Sequence, residues 1–159
     1  MTGGQTTITG SGEATISCVQ LSSGPASVEM GETLETWHGS ELILEARLAS
    51  DSLSHARFEV LLWNSEMVPV MELMTESLTG FPFEFAQAGE TTIRTRLRRL
   101  ELGPGKYSVT IVVTNNDHSR VYCRHDNVAF VNNQADSPSG AAVLAVAEWQ
   151  SMTLGTASA

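Results

Sequence analysis

Tyr122, Arg124 and Asp126 are spaced by two in the run VYCRHDNVAFVNN, which reads as a β segment. Positions i, i+2 and i+4 of a strand share a face, so this spacing sets a phenol, a guanidinium and a carboxylate side by side. That mixture suits a polyhydroxylated ligand: an aromatic ring stacks on apolar C–H faces while charged and amide groups hydrogen-bond to hydroxyls. Trp63 offers another platform, following Glu59 and Leu61 on the less apolar face of a predicted strand and preceding Asn64. Trp37, Tyr107 and Trp149 complete the set. Tyr107 falls on an apolar stripe with Val109 and Ile111 and is expected in the core.

Arg94, Arg96 and Arg98 alternate with Ile93, Thr95 and Leu97. Projecting to one face about 7 Å apart, such cations need acidic cross-strand partners or an anionic ligand. Glu45 and Glu59 lie on polar faces of other predicted strands and could pair with them. The row is therefore either a salt-bridged outer sheet face or a ligand-facing row led by Arg94 and Arg96.

Catalytic chemistry is poorly represented. His38, His55, His118 and His125 fall in loops or at strand ends, and no H-x-x-x-H or C-x-x-C spacing assembles a metal site. Cys123-Arg124-His125-Asp126 gathers a thiol, an imidazole and a carboxylate, but alternation sends Cys123 and His125 to one face and Arg124 and Asp126 to the other. There is no G-x-S-x-G elbow. Lys106 is the only lysine and precedes Tyr107, so no phosphate-cradling G-x-x-x-x-G-K-[ST] loop exists. No cofactor is expected, and the chain is read as a binder.

The elements that must hold these residues are strands. Tyr107, Val109, Ile111 and Val113 alternate after the turn chemistry of Gly103-Pro104-Gly105. Leu42, Leu44, Ala46 and Leu48 do the same, as do Phe58, Val60 and Leu62. Ala14 to Leu21 reads as a first strand, Val68 to Thr75 as a strand by apolarity, and Phe81-Pro82-Phe83 as an edge segment. Eight to ten short strands without a long amphipathic helix predict an all-β, antiparallel sandwich of immunoglobulin-like or jelly-roll type. The division expected is a flexible leader or linker over 1–11, the sandwich over 12–133, a linker over 134–140, a C-terminal strand over 141–150 and a tail over 151–159.

At 159 residues, 42% of them hydrophobic, the chain is long enough for one self-sufficient core. A net charge of −9 argues against nucleic acid as a partner, which needs clustered Lys and Arg. Two cysteines, Cys18 and Cys123, form no disulfide framework and are expected as free thiols, favouring the cytoplasm.

The ordered combination of Gly12-Glu13-Ala14-Thr15-Ile16, the central LELGPGKYSVTI and the late Ala147-Glu148-Trp149 resembles the C-terminal domain of Wzt-type proteins, ATPase subunits of ABC transporters that export O-antigen polysaccharide. The resemblance implies a domain that grips the end of a finished, lipid-linked polysaccharide at the inner face of the inner membrane. Its partners would be that O-antigen polysaccharide and the transmembrane permease subunit. It further implies a homodimer that exchanges a terminal strand, here Ala141 to Trp149, with Trp149 at the subunit contact. Two other readings stay open: a structural or protein-interaction sandwich without glycan affinity, and an accessory glycan-binding domain of a glycosyltransferase or methyltransferase.

Overall fold

A computed structural model describes residues 4–137 and 139–152. They form eleven strands and no helix. The larger sheet runs β1 (Thr7–Thr9), β11 (Val121–Gln134), β10 (Gly105–Thr114), β6 (His55–Trp63), β7 (Pro69–Leu73), with β4 (Thr33–Trp37) also on β11 and β8 (Phe81–Glu84) also on β6. The smaller sheet runs β3 (Ala26–Glu29), β2 (Thr15–Ser23), β5 (Leu42–Ala49), β9 (Thr91–Leu97). Every pairing is antiparallel except that of β4 with β11.

Period-two alternation explains the inner faces. Leu42, Leu44, Ala46 and Leu48 on β5, Phe58, Val60 and Leu62 on β6, and Tyr107, Val109, Ile111 and Val113 on β10 are all buried in one shared cluster. Each fully buried aliphatic or aromatic side chain contributes about 1.5–3 kcal/mol of transfer free energy. The two sheets are held together by this layer.

A polar clasp locks the turn before β10. The Tyr107 hydroxyl donates to the Gly103 carbonyl at 2.8 Å. Buried Asn133 donates through Nδ2 to the Leu102 carbonyl at 2.8 Å and accepts from the Thr36 hydroxyl at 2.9 Å. Turn, β4 and β11 are thereby tied by groups that would be costly to bury unpaired.

Two stretches differ from expectation. The leader over 1–11 contains β1, whose Thr7, Ile8 and Thr9 pair with Asp126, His125 and Arg124. All three side chains are exposed, so backbone pairing alone fixes the strand and leaves no apolar alternation to read. Residues 141–150 form no strand in the single chain. They lie against the turn through one bridge, Leu102 with Val143, and through bonds from Gly103 N to the Ala142 carbonyl (2.9 Å) and from Leu144 N to the Glu101 carbonyl (2.8 Å). Val143, Val146 and Trp149 stay exposed, so the alternation there buries nothing. Residues 1–3 of the leader and 153–159 of the tail lie outside the described residues.

Candidate binding face

The outer face of the larger sheet is read from its register. One row runs from Glu59 on β6 through Val112 on β10 and Arg124 on β11 to Thr9 on β1. In another, Leu61 faces Thr110, and Thr7 faces Asp126. A third runs from Trp63 through Ser108 and Phe130 to Thr33, and a fourth from Lys106 through Asn132 to Glu35. Val112 and Phe130 are buried yet belong to no core cluster, which means that neighbouring long side chains cover them on this outer side. The ammonium of Lys106 lies 4.8 Å from the centre of the Phe130 ring, within cation–π range.

At the centre, the Arg124 guanidinium carbon lies 5.9 Å from the centre of the Trp63 ring. The same guanidinium donates to both oxygens of Asp126, Nε at 3.1 and 3.0 Å and a terminal nitrogen at 3.0 Å. The Thr110 hydroxyl adds a bond to Asp126 Oδ1 at 2.9 Å. Burial pushes the Asp126 carboxyl up, but the bonds from Arg124 and Thr110 and the guanidinium charge outweigh it, leaving the group below its usual range. Asp126 is thus held ionised as an acceptor. The indole nitrogen of Trp63 is covered and has no hydrogen-bond partner among the described residues.

Tyr122 does not join this group. The pairing of β10 with β11 shifts between Val113 and Thr114, so that Val113 faces Cys123 and Thr114 faces Val121. The extra residue is Tyr122, and such a bulge breaks the alternation. Tyr122 is 9% exposed, packs in the core cluster, and lines a cleft of about 480 Å³ with residues including Leu53, His55, Asn116 and Asp117. Period two between residues 122 and 124 had no means of announcing the bulge.

Arg94 and Arg96 lie on β9, in the other sheet. Arg94 Nε is 3.8 Å from Glu45 Oε2, its register partner on β5, and Arg96 reaches Glu41 at 2.5 Å. Glu45 was foreseeable as a partner, whereas Glu41, outside the predicted strands, was not. Glu59 pairs instead with His118 at 2.7 Å, on the larger sheet.

Cys123 and His125 face the core, as alternation predicts. Burial raises the Cys123 thiol pKa, and burial lowers that of His125 against the opposing pull of Asp126. Both cysteines are free thiols.

Fold and face together define an antiparallel β-sandwich domain that presents an aromatic, cationic and carboxylate surface on its larger sheet. The chain belongs to the Wzt C-terminal domain family, which matches residues 5–144. The crystal structure of the C-terminal domain of Wzt is similar in fold, with a TM-score of 0.77 at 8% identity, covering 93% of this chain and 89% of that one. No curated protein matches the chain.

Proposed function

We propose that this chain is a non-catalytic carbohydrate-binding domain that recognises O-antigen polysaccharide, near its non-reducing end, for export by an ABC transporter. Family membership supports the transporter setting. The observation that carries the ligand class is the Trp63, Arg124, Asp126 and Thr110 group on one outer sheet face. An indole offers a sugar ring its stacking plane, and an ionised carboxylate and a guanidinium, oriented by each other, offer acceptors and donors to hydroxyls. Net affinity per sugar is small because each contact replaces one made with water. Isothermal titration of the chain with the delipidated O-polysaccharide of the source organism tests this. Saturable binding is expected, and the absence of heat and of chemical-shift change counts against it.

In the same reading the domain works on the cytoplasmic side of the inner membrane beside the permease subunit, as a homodimer in which residues 141–150 are exchanged. The bonds that Gly103 and Glu101 make to Ala142 and Leu144 can equally be made to a partner's segment. Truncation after Asn133 is expected to convert a sedimenting dimer to monomer; an unaltered dimer contradicts the exchange.

A second reading, a protein-interaction sandwich, has its own observation. Met67, Val68, Met74, Leu78 and Phe81 are exposed around β7 and β8, and Leu78 is 74% exposed. Exposed apolar side chains grouped on neighbouring elements mark contact sites, and in this reading a permease subunit docks there. Glycan affinity together with a silent apolar rim favours the first reading alone.

A further inference from the structure

The structure describes a cleft of about 530 Å³ that the group around Trp63 does not touch, lined among others by Trp37, His38, Gln134, Asp136, Leu144 and Val146. Trp37 ends β4, where Leu34 and Thr36 point inward and Thr33, Glu35 and Trp37 outward. It therefore stands on the same outer face as Trp63. Three strand spacings separate β6 from β4 through β10 and β11. Trp63 and Thr33 lie at the two ends of one row, and Trp37 is four residues beyond Thr33. At about 4.8 Å per strand and about 3.3 Å per residue, the two indoles are about 20 Å apart along the sheet surface. Several linked sugar rings span such a length.

Trp37 is 57% exposed, unusual for the largest aromatic side chain at a strand end. Around it are an amide (Gln134), a carboxylate (Asp136) and an imidazole (His38). The His38 ring is fixed: its Nε2 donates to the Leu144 carbonyl at 2.5 Å, which leaves Nδ1 as an acceptor. Its backbone N–H is bound to the Gln134 carbonyl at 2.8 Å. Stacking plane, fixed imidazole, amide and carboxylate in one cleft reproduce the chemistry of the Trp63 group without sharing a residue with it.

We infer that the Trp37 cleft is a second sugar-binding subsite, so that a polysaccharide lies across the larger sheet and is held at two places. The inference rests on the carbohydrate reading for its ligand class. Two linked contacts act through effective concentration, so a polymer long enough to reach both binds more tightly than a fragment that fills one. Leu144 and Val146 belong to the C-terminal segment, so whichever copy supplies that segment completes the cleft. Glycan binding at Trp37 and docking of residues 141–146 are then linked and strengthen each other.

The test compares Trp37→Ala with the unaltered chain, titrated with delipidated O-polysaccharide from the source organism and with single-repeat oligosaccharides cleaved from it. Affinity for the polymer is expected to fall by about tenfold, while single repeats keep their affinity for the Trp63 group and lose only the binding they make at the Trp37 cleft. In parallel, the Trp37 indole N–H resonance, assigned through Trp37→Phe, is expected to shift with polymer. Equal polymer affinity for the variant and an unmoved Trp37 resonance, in a chain that does bind the polymer, overturn the second subsite and leave the function standing. An unaltered chain that binds neither polymer nor fragment defeats the carbohydrate reading, and the subsite with it.

Discussion

The Arg124 guanidinium is 5.9 Å from the centre of the Trp63 ring while it holds the Asp126 carboxylate with three short bonds. Each contact orients the other, and both rest on residues supplied by different strands, β6 for the ring and β11 for the ion pair. The pair is partly exposed, Arg124 at 37% and Asp126 at 29% of their side-chain surface, so its contribution to folding is small.

Asp126→Ala accordingly costs at most about 1 kcal/mol of stability in urea titration, in line with partly exposed ion pairs. Glycan affinity falls by about tenfold, about 1.4 kcal/mol, because the variant loses an acceptor and releases the guanidinium from its fixed pose. Arg124→Lys does not restore binding, since one ammonium cannot replace a two-pronged, stackable fork. Calorimetric titration of the variants checks both statements.

His125 makes stability depend on pH. Burial lowers its pKa below the ordinary 6.5, and its Nδ1 has no hydrogen-bond partner among the described residues. A base with a depressed folded pKa binds its proton more readily when unfolded. Stability is therefore full above the unfolded value of about 6.5 and is lost as pH falls from there through the lower folded value. The thermal midpoint should drop by a few degrees between about pH 7.5 and about pH 5.5, and His125→Leu should flatten that slope. A slope unchanged by the substitution would assign it elsewhere.

The clasp beneath the turn carries more of the fold than the surface pair does. Asn133→Ala removes its bonds to the Leu102 and Gly103 carbonyls and to the Thr36 hydroxyl, all buried, at a cost of about 2–3 kcal/mol. Tyr107→Phe removes only the hydroxyl that reaches Gly103 and should cost about 1 kcal/mol. Denaturant midpoints measured on both variants rank them.

Gly103 sits where the C-terminal segment approaches most closely. A Cβ there would overlap the Ala141 carbonyl oxygen, so one of the two must move. Gly103→Ala is expected to release residues 141–146 while the sandwich stays folded. Hydrogen exchange reports this as faster exchange at Leu144 and Gly103 with unchanged protection on β10 and β11.

Strands whose buried face alternates were legible in the sequence: β5, β6 and β10 stand where Leu44, Phe58 and Val109 predict them, because a period-two apolar stripe has one burial solution. Strand β1 was invisible, since Thr7, Ile8 and Thr9 contribute backbone pairs and no buried side chain. The valines and alanines of residues 141–150 alternate without a layer to pack on, so their pattern overstated them. At the site, Arg124 and Asp126 share a face as their spacing predicted, and Trp63 meets them through strand pairing that the sequence did not announce. Tyr122 departs because a one-residue bulge moves it inward. Arg94 and Arg96 were separated from the site by topology, which places β9 in the other sheet.

The central claim, that sugar is held at the Trp63 indole, is tested most directly by titrating the chain and Trp63→Ala with delipidated O-polysaccharide from the source organism in a calorimeter. Saturable heat for the unaltered chain and a loss of at least about tenfold in affinity for Trp63→Ala, with the variant still folded by circular dichroism, is the expected result. Equal affinity for the two chains, or no heat from either, contradicts it.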